Sequence, residues 1–534
     1  MSGTTVRPAA GPSRSAAAPS RRLPFSLTAV GAVIAAATLL ALGLRGYQLA
    51  RPGHLLGVGD YDDGADFGSA LRLIHGVLPY RDFVIVQPPG ITLLMTPAAL
   101  LSKLAGTAWA IAAGRILTAL AGASAVLLAG LLVRHRGVLA TMLTCGIIAI
   151  YPGSVQAAHT VLLEPWLTVF CLVGALAVFE GDRLASGRRL AWGGVALGFA
   201  GAIKVWAIIP VAVIAVLCLP RVRNAGRLLA GVAVGFLVPV LPFAVVAPGR
   251  FYDSVVVAQL VRTGARTPLA LRLQYLTGMT AWNPGIVLLL VAAVAVAAVA
   301  AGTLIAAWRT TGCGPSPLEW FGVATAALVI VAFLVPVDFY YHYPAFLAPF
   351  LAMALALPAA RLAGGWPQPP ARPGWATRAF GLQRFAVPVA GLVILVLPFA
   401  APWPESSPTP TYASALTAIE RIIPPGACVL TDEVALLISA DRFTSSAPGC
   451  PVVVDGTGTD YALGRGRSAR TAGSVPAVAA VWQQAFRAAR YIVLTPYNQN
   501  RIAWTPQLRA YLRDNFAGVK GKWAPLRLYV RTTP

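Results

Sequence analysis

The stretch Ile286–Trp308 reads IVLLLVAAVAVAAVAAGTLIAAW, and it decides the class of fold. It has no charged residue, and a helix of about 20 apolar residues is enough to cross a hydrocarbon layer roughly 30 Å thick. Similar runs lie at Leu27–Leu44 and Phe385–Ala401. The whole chain is 57% hydrophobic and 11% charged, whereas a soluble domain is about 25% charged. The sequence therefore predicts a polytopic α-helical membrane protein.

The formal net charge of +23 is explained by topology. The basic residues fall in short clusters between apolar runs, as in Arg134 with Arg136, Arg183 with Arg188, and Arg221 with Arg223. Cytoplasmic loops of membrane proteins carry such an excess of arginine and lysine. We therefore expect no nucleic-acid partner.

Placing the basic clusters inside predicts about 11 transmembrane helices, with the N-terminus inside and the C-terminal segment outside. Residues 1–26 are expected to form a disordered cytoplasmic N-terminus, and 27–403 the transmembrane domain with a first outer loop at 49–108. The apolar stretch Ile91–Ala105 contains Pro97 and Lys103, and we interpret it as a helix in the outer interface. The predicted spans are 27–47, 109–133, 138–152, 162–180, 190–203, 205–220, 227–247, 284–308, 319–337, 341–360 and 384–403.

The segment 404–534 has more charge and shorter apolar runs, and it predicts an extracytoplasmic α/β domain. Expected strands are Cys428–Thr431, Pro451–Asp455, Tyr491–Thr495 and Leu526–Val530. Cys428 and Cys450 are the two cysteines of this segment, and the outside of a cell is oxidising. They predict a disulfide.

Four of the nineteen acidic residues lie within seven positions of the first outer loop: Asp60, Asp62, Asp63 and Asp66. An acidic cluster of this kind is either the solvated start of a loop or a functional site at the membrane edge.

The loop resembles that of a known superfamily. The pair Asp62-Asp63 is followed by Pro79-Tyr80-Arg81-Asp82-Phe83 and by Pro88-Pro89-Gly90. This is similar to the first outer loop of polyprenyl-phosphate-dependent GT-C glycosyltransferases, in particular the bacterial protein-mannosyltransferase-like family, which commonly has an Asp-Glu pair. Here the second acid is Asp63, and Asp66 stands where many members have tyrosine.

The resemblance implies an inverting sugar transfer from a polyprenyl phosphate, with a carboxylate as general base for the acceptor hydroxyl. Asp62 matches the catalytic acid best; Asp63 is the second catalytic candidate, and Asp60 and Asp66 stay open. The leaving phosphate needs cationic partners, for which the candidates are Lys204, Arg81, Arg115, Arg262, Arg266 and His342.

Residues expected to bind the acceptor or sugar are Glu164, His159, Tyr340 and Tyr341. Glu164 and the tyrosines also have ordinary alternatives: an acid at a helix start for Glu164, and an interfacial belt for the tyrosines. Lys204 has the alternative of snorkelling to the headgroups.

The sequence shows no metal-ligand spacing, so we predict no required metal; a divalent cation, Mg²⁺ or Mn²⁺, stays open because relatives differ in its use. The predicted function is a multi-pass glycosyltransferase of the plasma membrane that acts on the outer face. Its partners would be the lipid bilayer, a polyprenyl-phosphate sugar donor and a glycan, glycolipid or protein acceptor. The alternatives are a transporter or flippase of a lipid-linked or polar substrate, and a non-catalytic scaffold.

Overall fold

A computed structural model of the protein describes residues 25–262, 266–280, 282, 284–364, 411–443, 449–450, 452–521 and 526–532. The predicted eleventh span, 384–403, and nearly all of the predicted N-terminal segment 1–26 lie outside the described residues.

The membrane part consists of helices, with one two-stranded ribbon between α7 and α8. The ribbon pairs β1 (Phe179–Glu180) with β2 (Arg183–Leu184). The helices are α1 Phe25–Ala50, α2 Tyr61–Leu73, α3 Gly90–Leu100, α4 Ser102–Val133, α5 Gly137–Ile150, α6 Pro152–Gln156, α7 Leu163–Val178, α8 Arg188–Ile203, α9 Ile208–Cys218, α10 Val222–Val246, α11 Pro248–Tyr252, α12 Ala258–Leu260, α13 Leu269–Thr277, α14 Ile286–Thr311, α15 Pro317–Leu334 and α16 Pro344–Leu362.

A helix lies over each of the first ten predicted spans, and α3 lies at the predicted interfacial stretch. By length and composition, six helical stretches of the described chain could cross a membrane: Thr28–Ala50, Ser102–Ile150, Val205–Val246, Ile286–Thr311, Pro317–Leu334 and Pro344–Leu362. Two of these stretches join consecutive helices, α4 with α5 and α9 with α10. At Gly106 the backbone has a φ of 84°, which separates the first turn of α4 from the rest of the helix.

Helices α8 and α10 pack backbone to backbone through glycine. A Cβ on Gly198 would lie 2.1 Å from the carbonyl oxygen of Val232, and one on Gly235 would lie 2.0 Å from that of Val195. Membrane helices associate by such close packing of small residues. Apolar side chains gain little by leaving the lipid, which is equally apolar, so the hydrophobic effect does not drive helix association there.

Basic residues from separate predicted inner loops meet at one end of the bundle. Arg136 pairs with Asp182 and with Glu319, at 2.5 and 3.2 Å, and Glu319 also pairs with Arg361 at 3.1 Å. These loops therefore lie on the same side of the bundle, as their shared positive charge predicts.

The C-terminal part contains a four-stranded sheet with helices around it. The strand order is β3-β4-β6-β5, with β3 and β4 parallel and the other pairs antiparallel. Its elements are α17 Thr411–Ile422, β3 Val429–Thr431, α18 Val434–Ser439, α19 Gly456–Leu463, α20 Ala469–Ala472, α21 Pro476–Ala488, β4 Tyr491–Leu494, α22 Asn498–Arg501, α23 Pro506–Asn515, β5 Phe516–Gly518 and β6 Arg527–Arg531.

The predicted strand Pro451–Asp455 is wrong for its described residues, 452–455, which form no strand. Val454 is buried with Tyr80 and Phe83 of the first loop, and Asp455 caps α19 by accepting the amide of Gly458. The apolar run that predicted a strand is therefore buried by another part of the chain.

Helix α2 packs directly on α18 of the C-terminal part. A Cβ on Gly64 would lie 2.3 Å from the backbone nitrogen of Ala435. Arg72, in the last turn of α2, donates to the carbonyl oxygen of Cys450 at 2.7 Å. Cys450 is joined to Cys428 by a disulfide, with 5.6 Å between their Cα atoms. The loop after α1 and the C-terminal segment therefore form one packed unit.

The glycine contact between α8 and α10 gives a test of the packing. Gly198→Ala is expected to lower the free energy of unfolding by about 1–3 kcal/mol, because its methyl group has no room against Val232. Gly201→Ala is the matched control: it lies on the same helix, and its Cβ would have only ordinary contact, 3.5 Å from Phe236. Thermal unfolding in detergent measures both, and equal effects would contradict the close packing.

Candidate functional site

A cavity of about 380 Å³ lies between the helix ends of the membrane part and the C-terminal part. Its lining comes from distant regions of the sequence: Asp60, Tyr61, Asp62, Ala65, Asp66, Ile85, Val86, Gln87, Lys204, Arg262, Tyr340, Tyr341, His342, Tyr343, Asp455, Thr457, Gly458, Tyr461, Tyr497, Asn500 and Arg501.

The first turn of α2 presents the acidic cluster to this cavity. Asp60 is the N-cap residue, and its carboxylate accepts the amide N–H of Asp62 at 3.1 Å, which satisfies one of the free donors at the helix start. Asp62 and Asp66 are one helical turn apart and both line the cavity. The site is therefore built on a regular helix.

Asp63 faces away from the cavity and forms an ion pair with Arg115 of α4. The distance from Asp63 Oδ2 to Arg115 Nη2 is 2.7 Å, and neither side chain is exposed. Thr160 also donates to Asp63, and Arg115 donates to the carbonyl oxygens of Leu55 and Gly57 at 2.7 Å each. The predicted catalytic Asp63 and the predicted phosphate ligand Arg115 are thus placed against each other, outside the cavity lining.

Two ionisable residues, His342 and Glu164, connect Asp62 to Lys204. His342 Nε2 lies 3.7 Å from Asp62 Oδ2, and His342 Nδ1 lies 2.8 Å from Glu164 Oε2. The other oxygen of Glu164 is 2.5 Å from Lys204 Nζ. Glu164 lies in the first turn of α7, and Lys204 occupies the break after α8, with extended φ and ψ of −151° and 134°. Helix ends therefore bring these residues together.

The pKa of Asp62 is raised to about 6, first by removal from bulk water and then by the carboxylate of Asp60; His342 acts in the opposite direction. Its side chain keeps 41% of its surface accessible, but that surface faces the cavity. For His342, burial lowers the pKa, and Glu164 outweighs it, so that the net pKa is raised. His342 therefore favours its cationic form beside Asp62.

Tyrosines form another part of the lining. Tyr341 donates to Asp60 at 2.7 Å, and the ring of Tyr340, 40% exposed, stacks on His342 with ring centroids 5.8 Å apart. His159 is buried, with its ring centroid 6.2 Å from that of Tyr341. It does not belong to the cavity lining.

The predicted phosphate ligands divide into two groups. Lys204, Arg262 and His342 line the cavity. Arg262 forms no ion pair with a described residue, and its Nε is buried without a hydrogen-bond partner among them. Arg81 pairs with Asp82 at 2.8 Å, and Arg266 donates to the carbonyl oxygen of Leu334 at 3.0 Å; both are exposed and neither lines the cavity.

The C-terminal wall was missed by the sequence reasoning. Tyr61 donates to Asp455 at 3.0 Å and accepts the amide of Thr457 at 2.9 Å. Arg501 pairs with Glu433 at 2.5 Å and lies over the Tyr61 ring, 4.4 Å from its centroid. The one sequence signal for this wall is the apolar run 452–454, which ends at Asp-Gly-Thr-Gly, residues 455–458. This pattern indicates a helix cap, but it does not indicate which residues contact the cap in the folded chain.

Metal ligands in the described chain do not cluster: it holds no group of three or more His, Cys, Asp or Glu side chains arranged to bind a metal ion. The side chains of the cavity supply groups for proton transfer, Asp62 and His342, for stabilisation of an anion, Lys204 and Arg262, and for stacking or hydrogen bonding, the tyrosines.

Comparison with known proteins gives a family match over part of the chain and a likeness in fold over nearly all of it. Residues 105–237 match the family model of dolichyl-phosphate-mannose-protein mannosyltransferase. The structure resembles that of ArnT from Cupriavidus metallidurans bound to undecaprenyl phosphate, with a TM-score of 0.54 and 17% identity over 95% of this chain and 98% of that chain. No curated protein matches in sequence.

A second similar structure is the Archaeoglobus fulgidus oligosaccharyltransferase tethered to an acceptor peptide containing the NVT sequon. Its TM-score is 0.52, with 14% identity over 93% of this chain and 76% of that chain. At these identities the likeness concerns the fold. The predicted resemblance to GT-C glycosyltransferases and the predicted fold class, a helical membrane protein with a small C-terminal sheet domain, are confirmed.

The buried pair of Asp63 and Arg115 gives a prediction that separates structure from catalysis. Asp63→Asn is expected to lower the free energy of unfolding by about 3–5 kcal/mol, because it leaves Arg115 as an uncompensated buried charge. The double variant Asp63→Leu with Arg115→Met should recover much of that loss. Thermal unfolding measures both. A stable Asp63→Asn protein that lacks sugar transfer would instead make Asp63 catalytic.

Proposed function

The chain has the fold of the polyprenyl-phosphate-dependent GT-C glycosyltransferases, and on that premise we propose that it transfers a sugar from a polyprenyl phosphate to an envelope acceptor. The acceptor would be a glycan, glycolipid or protein on the outer face of the plasma membrane. The observation that carries the proposal is one cavity that contains a carboxylate with a raised pKa, Asp62, together with the cations Lys204 and Arg262.

The donor phosphate would lie between Lys204 and Arg262. Arg262 forms no ion pair with a described residue, and an anion would provide one. A smaller side groove, lined by Val205, Trp206 and Val255, shares Lys204 and Arg262 with the cavity. Val205 is 45% exposed on the outside of the bundle. The polyprenyl chain of the donor would pass from the cavity through this groove into the bilayer.

The proposed transfer is a single displacement. The acceptor oxygen forms a bond to the anomeric carbon while its proton passes to Asp62. The bond from the anomeric carbon to the phosphate oxygen breaks, and its electron pair leaves with the phosphate. Lys204 and Arg262 stabilise the second negative charge that the phosphate then carries. Since attack and departure are on opposite faces of the sugar, the anomeric configuration inverts.

We infer the orientation of the protein in the membrane from the distribution of its basic residues. The cavity lies at helix ends opposite to the network of Arg136, Glu319 and Arg361, and basic loops face the cytoplasm. The cavity and the C-terminal part would then lie outside. Transporters usually hold their polar residues near the midplane on broken helices, and here the ionisable residues of the cavity collect at one end.

The base assignment predicts a large loss of turnover in one variant. Asp62→Asn should reduce transfer by about 100- to 10,000-fold, because the amide cannot accept the acceptor proton. The measurement is transfer by purified protein from radiolabelled polyprenyl-phosphate sugars to crude envelope acceptors. Asp82→Asn is the matched control, an acid of the same loop that pairs with Arg81 outside the cavity. Full transfer by a folded Asp62→Asn protein would exclude this base.

The pH dependence gives an independent test. Below pH about 6 the raised pKa of Asp62 leaves it protonated, so kcat/KM should fall about tenfold per pH unit. His342→Gln removes the cation that lowers the pKa of Asp62. The midpoint of the acid limb should therefore move to higher pH. A midpoint that stays in place or moves to lower pH would disprove the coupling of the two residues.

A further inference from the structure

The carboxyl group of Asp66 is the least satisfied acid of the cavity. It is 3% exposed and lines the cavity. Its Oδ2 is buried without a hydrogen-bond partner among the described residues, and the hydroxyl of Ser69 donates to its backbone oxygen at 2.7 Å instead of to the carboxyl group. A buried polar group without a partner is strongly unfavourable. The unpartnered carboxyl group of Asp66 therefore indicates that a ligand supplies its missing hydrogen bond.

The surroundings of Asp66 exclude a structural ion pair. The ionisable groups that act on it are Asp62, Asp455, Lys204 and Glu164. The first two are acids, and Lys204 is already paired with Glu164. Burial and these neighbouring carboxylates hold the pKa of Asp66 well above its ordinary value. In its neutral form a carboxyl group both donates and accepts a hydrogen bond.

We propose that Asp66 is a carbohydrate-binding residue, which donates and accepts hydrogen bonds with a hydroxyl group of a sugar held beside Asp62. A sugar hydroxyl has the same double capacity as a neutral carboxyl group, so each satisfies the other. Asp62 and Asp66 stand one turn apart on one helix, which places the hydroxyl-binding group next to the base. The inference rests on the proposed function and assigns Asp66 to recognition of the sugar.

The test compares lipids with and without a sugar. The full chain in detergent would be titrated with polyprenyl-phosphate sugars and with polyprenyl phosphate alone. Asp66→Leu, of similar size and without hydrogen bonding, should weaken binding of the sugar-bearing lipid by about 10- to 100-fold. Binding of polyprenyl phosphate alone should change less than about threefold. Asp66→Asn, which keeps a donor and an acceptor, should retain most of the affinity.

Asp460→Asn is the matched control. Asp460 is also a buried acid with an unpartnered oxygen, but it accepts from Trp482 at 2.9 Å and does not line the cavity. The Asp460→Asn variant should bind the sugar-bearing lipid with unchanged affinity. If Asp66→Leu raises only the KM of a glycan acceptor, the proposal also holds, and the hydroxyl belongs to the acceptor sugar instead of the donor.

Three results would overturn the proposal. One is unchanged donor affinity and unchanged acceptor KM in a folded Asp66→Leu protein. Another is an equal loss of affinity for the sugar-free lipid, which means that Asp66 only shapes the cavity. The third is an equal loss in Asp66→Asn, which indicates that a cationic group binds there. Failure of the proposed glycosyltransferase function would give a different result, since the wild-type protein would then transfer no sugar from any donor.

Discussion

The buried ion pair between Asp63 and Arg115 is the interaction on which the site depends. It joins the first turn of α2 to α4, and Arg115 also holds the carbonyl oxygens of Leu55 and Gly57 in the segment before α2. Asp63 contacts α4, whereas Asp62 and Asp66, one turn apart, line the cavity. Gly64 lets α2 approach Ala435 of the C-terminal part. Contacts with α4 and with the C-terminal part therefore both fix the position of the acidic helix.

The cations of the cavity differ in whether an acidic residue pairs with them. Lys204 is paired with Glu164 and Arg501 with Glu433, whereas Arg262 has no such partner among the described residues. On the acidic side, neighbouring carboxyl groups differ in their surroundings: Asp62 lies beside His342, and Asp66 has only acids and an occupied lysine. Residues of the same type on one helix can thus have different protonation states. In the proposed function, a phosphate sugar would supply both the anion beside Arg262 and the hydroxyl partner of Asp66.

The C-terminal part forms a wall of the site as well as a separate sheet. Asp455 and Arg501 contact Tyr61, which precedes Asp62 by one position. At the other end of α2, Arg72 donates to the carbonyl oxygen of Cys450, which forms a disulfide with Cys428. The C-terminal part therefore contacts both ends of α2, and a change in its position would alter the cavity.

The sequence by itself determined the membrane class, the position of most helices and the importance of the acidic loop, because apolar length and charge between spans are local properties. It also selected Lys204, His342 and Glu164 as residues of interest, since ionisable groups beside apolar spans are rare. Only the tertiary structure decided which of these residues meet. It placed Asp63 and Arg115 in the interior, excluded Arg81 and Arg266 from the cavity lining, and added Asp455 and Arg501. The physical reason is that pairing of buried charges depends on contacts between residues tens to hundreds of positions apart, about which local composition carries no information.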